Sequence, residues 1–367
     1  MTMTAAEPTA DRSATLGPDK VANLTGRDSM PKPMKLLLSA AVMAIVMGAA
    51  GTVLAADKIS IMVGGMEKII YLPAKLAEQL GYFKDEGLEV ELLSEPAGVE
   101  AENELLAGAV QGVVGFYDHT VDLQAKGKFV ESVVQFSQAP GEVELVSAKL
   151  ADQIKSPADF KGKSLGVTGL GSSTNFLTQY LAVKNGVALG EFTSVPVGAG
   201  NTFIAAMQQG KIDAGMTTEP TISRLLKTGE AKILIDMRSA DLTRQALGGV
   251  YPAACLYMQT EWVEQHKDET KKLARAFVKT LRYIATHSAE EIAAQMPKDY
   301  YAGDKAMYIH ALATGKQMFT ADGVMPADGP PTVLKVLGTF DKTVKGRTID
   351  LSKTYTTTFV SAAAAAN

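Results

Sequence analysis

Short apolar runs alternate with amphipathic runs along the chain after Asp57, and this alternation is typical of an α/β fold with largely parallel sheets. In the first part we expect helices at LPAKLAEQLGYFKDEG and VEAENELLAG, and strands at KISIMVGG, LEVELLS, QGVVGFY and ESVVQFSQ. A second set of strands begins near Gly162, at KSLGVTG, FTSVPVG, KIDAGMTT and AKILIDM. Because the pattern restarts, the sequence predicts two sheets rather than one.

An internal echo supports two similar lobes. Two segments each predict a helix that ends at a glycine, then a short strand, then a polar loop; they are LLAGAVQGVVGFYDHT and AMQQGKIDAGMTTEP. An echo this short also arises by chance. After Pro252 the sequence predicts helices, which we expect to pack on the first lobe. The chain would cross between the lobes near Glu144 and near Tyr251, and two crossings would form a hinge.

The predicted architecture is therefore a two-lobed α/β fold. We expect lobe 1 to comprise residues 57–143 and 252–367, and lobe 2 to comprise residues 144–251. Each lobe would be a mostly parallel sheet flanked by helices. A ligand cleft would lie between the lobes, beyond the carboxyl ends of the strands.

The composition excludes several classes of protein. The chain has 367 residues, of which 46% are hydrophobic, so it can bury a large core. Its net charge is -4 and it contains no run rich in lysine or arginine, so we expect no nucleic-acid partner. The single cysteine, Cys255, excludes an intrachain disulfide and a multi-cysteine metal site, and its apolar surroundings indicate a buried side chain.

The N-terminal region resembles an export signal. Lys32 and Lys35 precede the apolar run LLLSAAVMAIVMGAAGTVLA, which ends in small residues, with cleavage expected near Ala55. We interpret residues 30–55 as a signal peptide and residues 1–29 as a non-native or disordered extension; a retained membrane anchor is the alternative. No cysteine stands directly after the run, which excludes a lipid-anchored form, so we expect a soluble periplasmic protein.

Polar loops at the predicted strand ends supply the candidate ligand-binding residues. The same hydroxyl and amide side chains are equally suited to capping the helices that follow, and these two roles are compatible. The candidates are Gly65, Met66, Glu67, Lys68 and Tyr71 after the first strand; Tyr117, Asp118 and His119 after the third; Gln138; Gly171, Ser172, Ser173 and Thr174; Asn201; and Thr218 and Glu219.

The sequence lacks the motifs of the common enzymes and metal sites. GLGSST has Thr174 where a dinucleotide fingerprint needs its third glycine, and no Walker lysine follows. GSSTN lacks the glycine pattern of a hydrolase nucleophile. The four histidines, His119, His266, His287 and His310, do not have metal-ligand spacing. We therefore expect no catalytic residues, no metal and no cofactor.

Several longer motifs resemble one known family. They are LAEQLGYFKDEGLEVEL, LLAGAVQGVVGF, DFKGKSLGVTGLGSSTNFL, MQQGKIDAGMTTEP and DLSKTYTTTFV. They are similar to the periplasmic substrate-binding proteins of ABC importers in the NMT1/THI5-like and SsuA-like group, which serves nitrate, sulfonates, taurine and thiamine-precursor pyrimidines. The resemblance implies a type II periplasmic-binding-protein fold whose lobes close on a ligand and whose closed form docks on an inner-membrane permease.

The resemblance also implies roles for individual residues. Ser172, Ser173 and Thr174 would hold a carboxylate, sulfonate or similar group, and Glu219 would meet a donor across the cleft. Two features depart from the family: Thr218 stands where many relatives have an aromatic residue before Glu-Pro, and the cysteine-rich segment of the eukaryotic pyrimidine-forming members is absent. Since the predicted loops contain no arginine, a monoanion or an aromatic polar molecule is favoured over a dianion.

The function predicted from the sequence is that of a monomeric periplasmic receptor for a small molecule, with an ABC permease as partner and no enzymatic activity. Two alternatives stay open. One is a cytoplasmic enzyme on the same fold, like the futalosine-pathway or pyrimidine-forming relatives. The other is a ligand sensor for a membrane kinase.

Overall fold

The computed structural model describes residues 58–301 and 303–365, so the predicted extension and signal peptide lie outside the described residues. Its strands are β1 (Lys58–Val63), β2 (Glu89–Ser94), β3 (Gly112–Phe116), β4 (Val130–Gln135), β5 (Glu142–Ser147), β6 (Ser164–Val167), β7 (Thr193–Pro196), β8 (Ala214–Thr218), β9 (Ala231–Asp236) and β10 (Ala254–Gln259).

The described α-helices alternate with these strands and then dominate the C-terminal part. They are α1 (Leu72–Gln79), α2 (Tyr82–Asp85), α3 (Gly98–Leu106), α4 (Asp118–Ala125), α5 (Ser173–Lys184), α6 (Asn201–Gln208), α7 (Thr221–Thr228), α8 (Ala240–Leu247), α9 (Thr260–Gln265), α10 (Lys267–Thr286), α11 (Ala289–Gln295), α12 (Lys305–Gly315), α13 (Gly329–Phe340) and α14 (Thr358–Ala365).

The first sheet, on which the first lobe is built, has the order β2-β1-β3-β10-β4. Strands β2, β1 and β3 are parallel, whereas β10 runs antiparallel to both of its neighbours. The expectation that only helices follow Pro252 is therefore wrong. The run ACLYMQ that forms β10 is buried along almost its whole length, so its apolar residues are continuous and lack the alternation that marks a half-exposed strand.

The second sheet, on which the second lobe is built, has the order β7-β6-β8-β5-β9. Here β5 runs antiparallel to β8 and β9, and Glu142 pairs with Thr218 at one end of the ladder. The predicted lobe crossing near Glu144 falls inside β5. The two-lobed α/β fold is confirmed, and each sheet gains its antiparallel strand directly after a crossing.

The helices that follow β10 are shared between the lobes more widely than expected. Helix α10 packs against β4, α1 and α14, as predicted for the first lobe, with Phe277 ring-to-ring against Phe136 at a centroid distance of 4.8 Å. Helix α13, by contrast, contacts both α4 of the first lobe and α5 of the second, and α12 contacts α7. The C-terminal helices thus cover the first sheet and also support the second lobe.

Helix α1 begins as the sequence predicts, with Pro73 in its first turn. The predicted helix LPAKLAEQLGYFKDEG is divided into α1 and α2 at Gly81, whose φ of 74° is a left-handed conformation that favours glycine. Across the described residues, no helix combines the length and hydropathy needed to cross a bilayer.

Glu144 is a buried carboxyl group on β5. Its side chain is fully buried, and its Oε2 accepts a hydrogen bond of 2.9 Å from Thr178 Oγ1 on α5. Burial raises the pKa of Glu144 to about 8, and the bond from Thr178 offsets only part of this rise. At neutral pH this carboxyl group therefore carries a proton in the folded protein.

We predict that Glu144 makes the fold less stable as the pH rises. Between its unfolded pKa, near 4.5, and about pH 8, the folded state holds a proton that the unfolded chain releases, so the free energy of unfolding falls with rising pH. Relative to Glu144→Gln, the wild type should lose up to about 1.4 kcal/mol per pH unit in this range. Urea denaturation at a series of pH values measures the difference.

The control for this prediction is Glu89→Gln, the same substitution at an exposed position on the edge strand β2. Its stability should follow the wild type at every pH. Parallel pH profiles for the wild type and Glu144→Gln would show that Glu144 is ionised in the folded protein.

Candidate functional site

A small cavity lies between the two sheets and is lined from both lobes. Its volume is about 10 Å³, which is room for roughly one water molecule. The lobes are thus closed on each other at this point. The lining residues are Lys68, Tyr71, Gly98 and Phe116 from the first lobe, and Glu142, Thr168, Ser172, Ser173, Thr174 and Thr218 from the second.

Lys68 brings a buried amine to the cavity. Its Nζ donates hydrogen bonds to the carbonyl oxygens of Gly64 at 2.6 Å and Pro96 at 2.8 Å. Burial lowers the pKa of Lys68 to about 8, against the opposing effect of carboxyl groups that include Glu142. Gly65, with φ of 115°, makes room for this side chain, because a Cβ there would lie 2.4 Å from Lys68 Cε.

The hydroxyl groups at the start of α5 bond to neighbouring segments. Ser172 Oγ accepts the N–H of Val99, from the first lobe, at 3.3 Å. Thr174 Oγ1 accepts the N–H of Thr168 at 3.0 Å. Neither bond caps α5, so the first N–H groups of the helix are not satisfied by these hydroxyls. The capping alternative is therefore not what the structure shows for Ser172.

Asp118 joins three parts of the chain. Its carboxylate, fully buried at the start of α4, accepts hydrogen bonds from Ser173 Oγ at 2.7 Å and from Tyr251 OH at 2.8 Å. Ser173 belongs to the second lobe, and Tyr251 lies in the segment that returns to the first sheet. Burial raises the pKa of Asp118, while His119, Ser173 and Tyr251 act in the opposite direction.

His119 is buried behind the cavity wall. Its Nδ1 lies 2.9 Å from Glu102 Oε2, and a Cβ on Gly98 would lie 3.0 Å from its Cε1. Burial alone lowers the pKa of His119, but Glu102 and Asp118 outweigh burial and raise the pKa to about 9. The imidazole is therefore charged at neutral pH, and its partners lie within the first lobe.

Glu219 does not meet the cavity as the sequence analysis expected. Its Oε1 accepts from Arg238 at 3.0 Å and its Oε2 accepts the N–H of Ser223 at 2.9 Å. Arg238 is also paired with Asp236 at 2.6 Å. The contact of Glu219 with the first lobe is made by its backbone oxygen, which accepts the N–H of Ile69 at 3.0 Å.

The structure brings part of the predicted site together. Six of the sixteen candidates line the cavity: Lys68, Tyr71, Ser172, Ser173, Thr174 and Thr218. The other ten do not line it: Gly65, Met66, Glu67, Tyr117, Asp118, His119, Gln138, Gly171, Asn201 and Glu219.

Three of these ten have clear alternative surroundings. Tyr117 is fully buried and its hydroxyl bonds to Thr354 Oγ1. Asn201 is exposed and accepts a hydrogen bond from Arg224. Glu67 is exposed as well. In this closed arrangement, Tyr117, Asn201 and Glu67 are poorly placed to contact a ligand in the cavity.

Sequence reasoning missed four residues of the lining. Glu142 was missed because β5 was not recognised as a strand. Phe116, the last residue of β3, was passed over for its neighbour Tyr117, whose buried hydroxyl bonds to Thr354 instead. Thr168 and Gly98 stand beside predicted loops, and the position of a strand end to within one residue would have identified Thr168.

Among the described residues, no group of three or more histidine, cysteine, aspartate or glutamate side chains is arranged to hold a metal ion. The cavity is lined by one amine, one carboxyl group, several hydroxyl groups and two aromatic rings. Such a set suits a small polar organic molecule.

Comparison with solved structures places the fold in a known class. The chain superposes on a protein from Bordetella bronchiseptica RB50 with a TM-score of 0.80 and 35% identity, covering 84% of this chain and 97% of that one. It also superposes on the alkanesulfonate-binding protein SsuA from Xanthomonas axonopodis pv. citri, solved with bound MOPS, with a TM-score of 0.61 and 18% identity, over 77% of this chain and 91% of that one. The fold is that of the periplasmic binding proteins.

A family model defines the relationship of this chain more narrowly than its fold does. The family described as NMT1/THI5 like matches residues 71–291, and the chain belongs to it. Among curated proteins the chain is similar to the 4-amino-5-hydroxymethyl-2-methylpyrimidine phosphate synthase THI13 of Saccharomyces cerevisiae, with 26% identity over 238 residues, which are 62% of this chain and 67% of that protein.

We predict that Asp118 and Ser173 are energetically coupled. Asp118→Ala leaves two buried hydroxyl groups without their acceptor and should lower the free energy of unfolding by about 3 kcal/mol. Ser173→Ala should cost about 1 kcal/mol, and a double-mutant cycle in urea should give a coupling of about 1–2 kcal/mol.

The matched control is the exposed hydroxyl–carboxylate pair Thr343 and Asp341, whose oxygens lie 2.7 Å apart. Its coupling should be close to zero, because water replaces an exposed hydrogen bond. Additive effects at Asp118 and Ser173 would contradict the role of this bond between the lobes.

Proposed function

We propose that this protein is the solute-binding receptor of an ABC-type importer. It is exported, with its signal peptide cleaved near Ala55, and acts as a monomer that delivers its cargo to an inner-membrane permease. The cargo is a small polar or anionic organic molecule, such as a sulfonate, a carboxylate or an aromatic, pyrimidine-like compound. The protein binds this cargo and does not transform it.

The observation that carries the proposal is the polar cavity lined from both lobes. The fold is shared with a protein named as an alkanesulfonate-binding protein. A ligand in this cavity would contact Lys68 of the first lobe and Glu142 and Thr218 of the second only when the lobes are closed. Binding would therefore favour the closed arrangement without any bond being made or broken.

Entry of the cargo requires the lobes to separate, since a cavity of about 10 Å³ is smaller than any such molecule. Separation breaks contacts between the lobes. They include the hydrogen bonds from Val99 N–H to Ser172 Oγ, from Ile69 N–H to the Glu219 carbonyl oxygen, and from Ser173 Oγ to Asp118.

An enzyme on the same fold is the second candidate, and the name of the yeast relative as a phosphate synthase favours it. Lys68 is the cavity residue that such chemistry would use, because an amine with a pKa of about 8 is partly unprotonated near neutral pH. An enzyme would release an altered molecule, whereas a receptor releases its cargo unchanged. Mass spectrometry of a stabilising compound after long incubation distinguishes the two.

We predict that a thermal-shift screen of alkane sulfonates, taurine, nitrate, aromatic carboxylates and pyrimidines finds a selective ligand. At one hundred times its Kd, a ligand adds about 2.7 kcal/mol of stability, which raises Tm clearly. No shift with any compound, in protein freed of co-purified ligand by unfolding and refolding, would contradict the receptor assignment for these classes of cargo.

We predict further that Thr218→Val weakens binding of that ligand without weakening the fold. The hydroxyl of Thr218 is buried in the cavity lining and has no hydrogen-bond partner in the described chain, so its loss costs the free protein nothing. Loss of one hydrogen bond to the ligand should raise Kd about fivefold. Isothermal titration calorimetry measures this change.

Thr217→Val is the matched control. Thr217 is the preceding residue on β8, equally buried and equally unpartnered within the described residues, but it faces the other side of the sheet. Its substitution should leave Kd unchanged. Equal effects of the two substitutions would show that the ligand does not bind in this cavity.

A further inference from the structure

Glu142 and Thr218 form an unsatisfied polar pair in the cavity wall. They are directly opposite each other in the antiparallel ladder of β5 and β8, so their side chains share one face of the sheet. Only 2% of Glu142 and 3% of Thr218 is exposed. Glu142 Oε2 and Thr218 Oγ1 are both buried without a hydrogen-bond partner among the described residues, and both residues line the cavity.

Unpartnered polar atoms in such a position are costly unless water or a ligand satisfies them. Other carboxyl groups near the cavity do have partners: Asp118 bonds to Ser173 and Tyr251, and Glu219 bonds to Arg238 and Ser223. Glu142 is therefore the carboxyl group of the cavity that is left to bind something else.

The protonation state of the Glu142 carboxyl group decides which hydrogen-bonding groups it can bind. Burial and the nearby Asp118 raise the pKa of Glu142 well above its usual range, and Lys68 opposes them only in part. A protonated carboxyl group offers an O–H donor and a carbonyl acceptor side by side. The hydroxyl of Thr218 beside it can donate or accept.

We propose that Glu142 is the specificity-determining residue of the site, selecting a cargo whose edge carries a neutral N–H donor next to a lone-pair acceptor. This inference rests on the proposed receptor function and narrows it. Primary amides and amino-substituted nitrogen heterocycles have such an edge. Nitrate and simple alkane sulfonates have acceptors alone, and they would leave the carbonyl oxygen of Glu142 unpaired.

Lys68 complements this selection from the opposite lobe. Two of the three donors of its ammonium group are used by the carbonyl oxygens of Gly64 and Pro96. The remaining donor can bond to an acceptor at the far end of the cargo. The site thus combines groups that bind an N–H donor, on the second lobe, with a cationic hydrogen-bond donor on the first lobe.

Isothermal titration calorimetry with the full chain tests the proposal using paired probes. 2-Aminopyrimidine is compared with 2-methylpyrimidine, and nicotinamide with methyl nicotinate; only the first of each pair has the N–H donor. The wild type should bind the first of each pair at least tenfold more tightly. Glu142→Leu should abolish this preference, and Glu142→Gln should keep it within about threefold, because a side-chain amide also offers a donor beside an acceptor.

Glu144→Gln is the control, since Glu144 is equally buried on the same strand but does not line the cavity, and it should bind like the wild type. A preference that survives Glu142→Leu overturns the proposal, because another group then selects the cargo. Loss of the preference in both Glu142→Gln and Glu142→Leu also overturns the proposal. That result would mean that Glu142 acts as an ionised carboxylate that binds a cationic group of the probe.

A parallel titration with nitrate and ethanesulfonate separates this inference from the receptor function. If the wild type binds these anions and none of the N–H probes, the receptor function stands and the role of Glu142 is wrong. If no compound of either set binds, both the specificity assignment and the receptor function for these cargo classes are contradicted.

Discussion

A buried carboxylate, that of Asp118, accepts one of the hydrogen bonds that join the two lobes. A buried carboxylate is stable only if its hydrogen bonds are made, and here the donors come from Ser173 of the second lobe and Tyr251 of a crossing segment. The closed arrangement of the lobes satisfies both donors at once. Opening removes the bond from Ser173, so the balance between open and closed states depends on what replaces it.

The rest of the site follows from how the chain crosses between the sheets. Each crossing delivers an antiparallel strand, β5 to the second sheet and β10 to the first. Strand β5 starts with Glu142 beside the carboxyl end of β8, which places a carboxyl group next to Thr218. If β5 ran parallel to β8, its first residue would lie at the amino end of β8, away from the cavity.

Much of the fold could be predicted because hydrophobic patterning reports burial. The sequence predicted the half-exposed strands, the restart of the pattern near Gly162 and the family resemblance. The family is confirmed. Strand β10 was not predicted: its run ACLYMQ lies in the part of the chain where only helices were expected, and its continuous burial gives it no alternation that would mark a strand. Strand β5 lay where a linker was expected, and the role of Glu142 was hidden with it.

The site was predicted less completely, for a different reason. Residue type and position near a strand end indicated the hydroxyls of α5 and Lys68, and these residues line the cavity. Whether a polar residue faces the cavity or a partner depends on contacts between distant segments. Glu219 meets Arg238, and Tyr117 meets Thr354, across separations in sequence that no local pattern reports.

The central claim is that ligand binding closes two lobes that otherwise separate, and a distance measurement between the lobes tests it most directly. Spin labels at cysteines replacing the exposed Lys128 of the first lobe and Lys211 of the second can be attached selectively, because the native Cys255 is buried. Double electron–electron resonance should show two populations in ligand-free protein, and a compound that raises Tm should convert them to one. A single distance distribution that such a compound leaves unchanged would contradict the account.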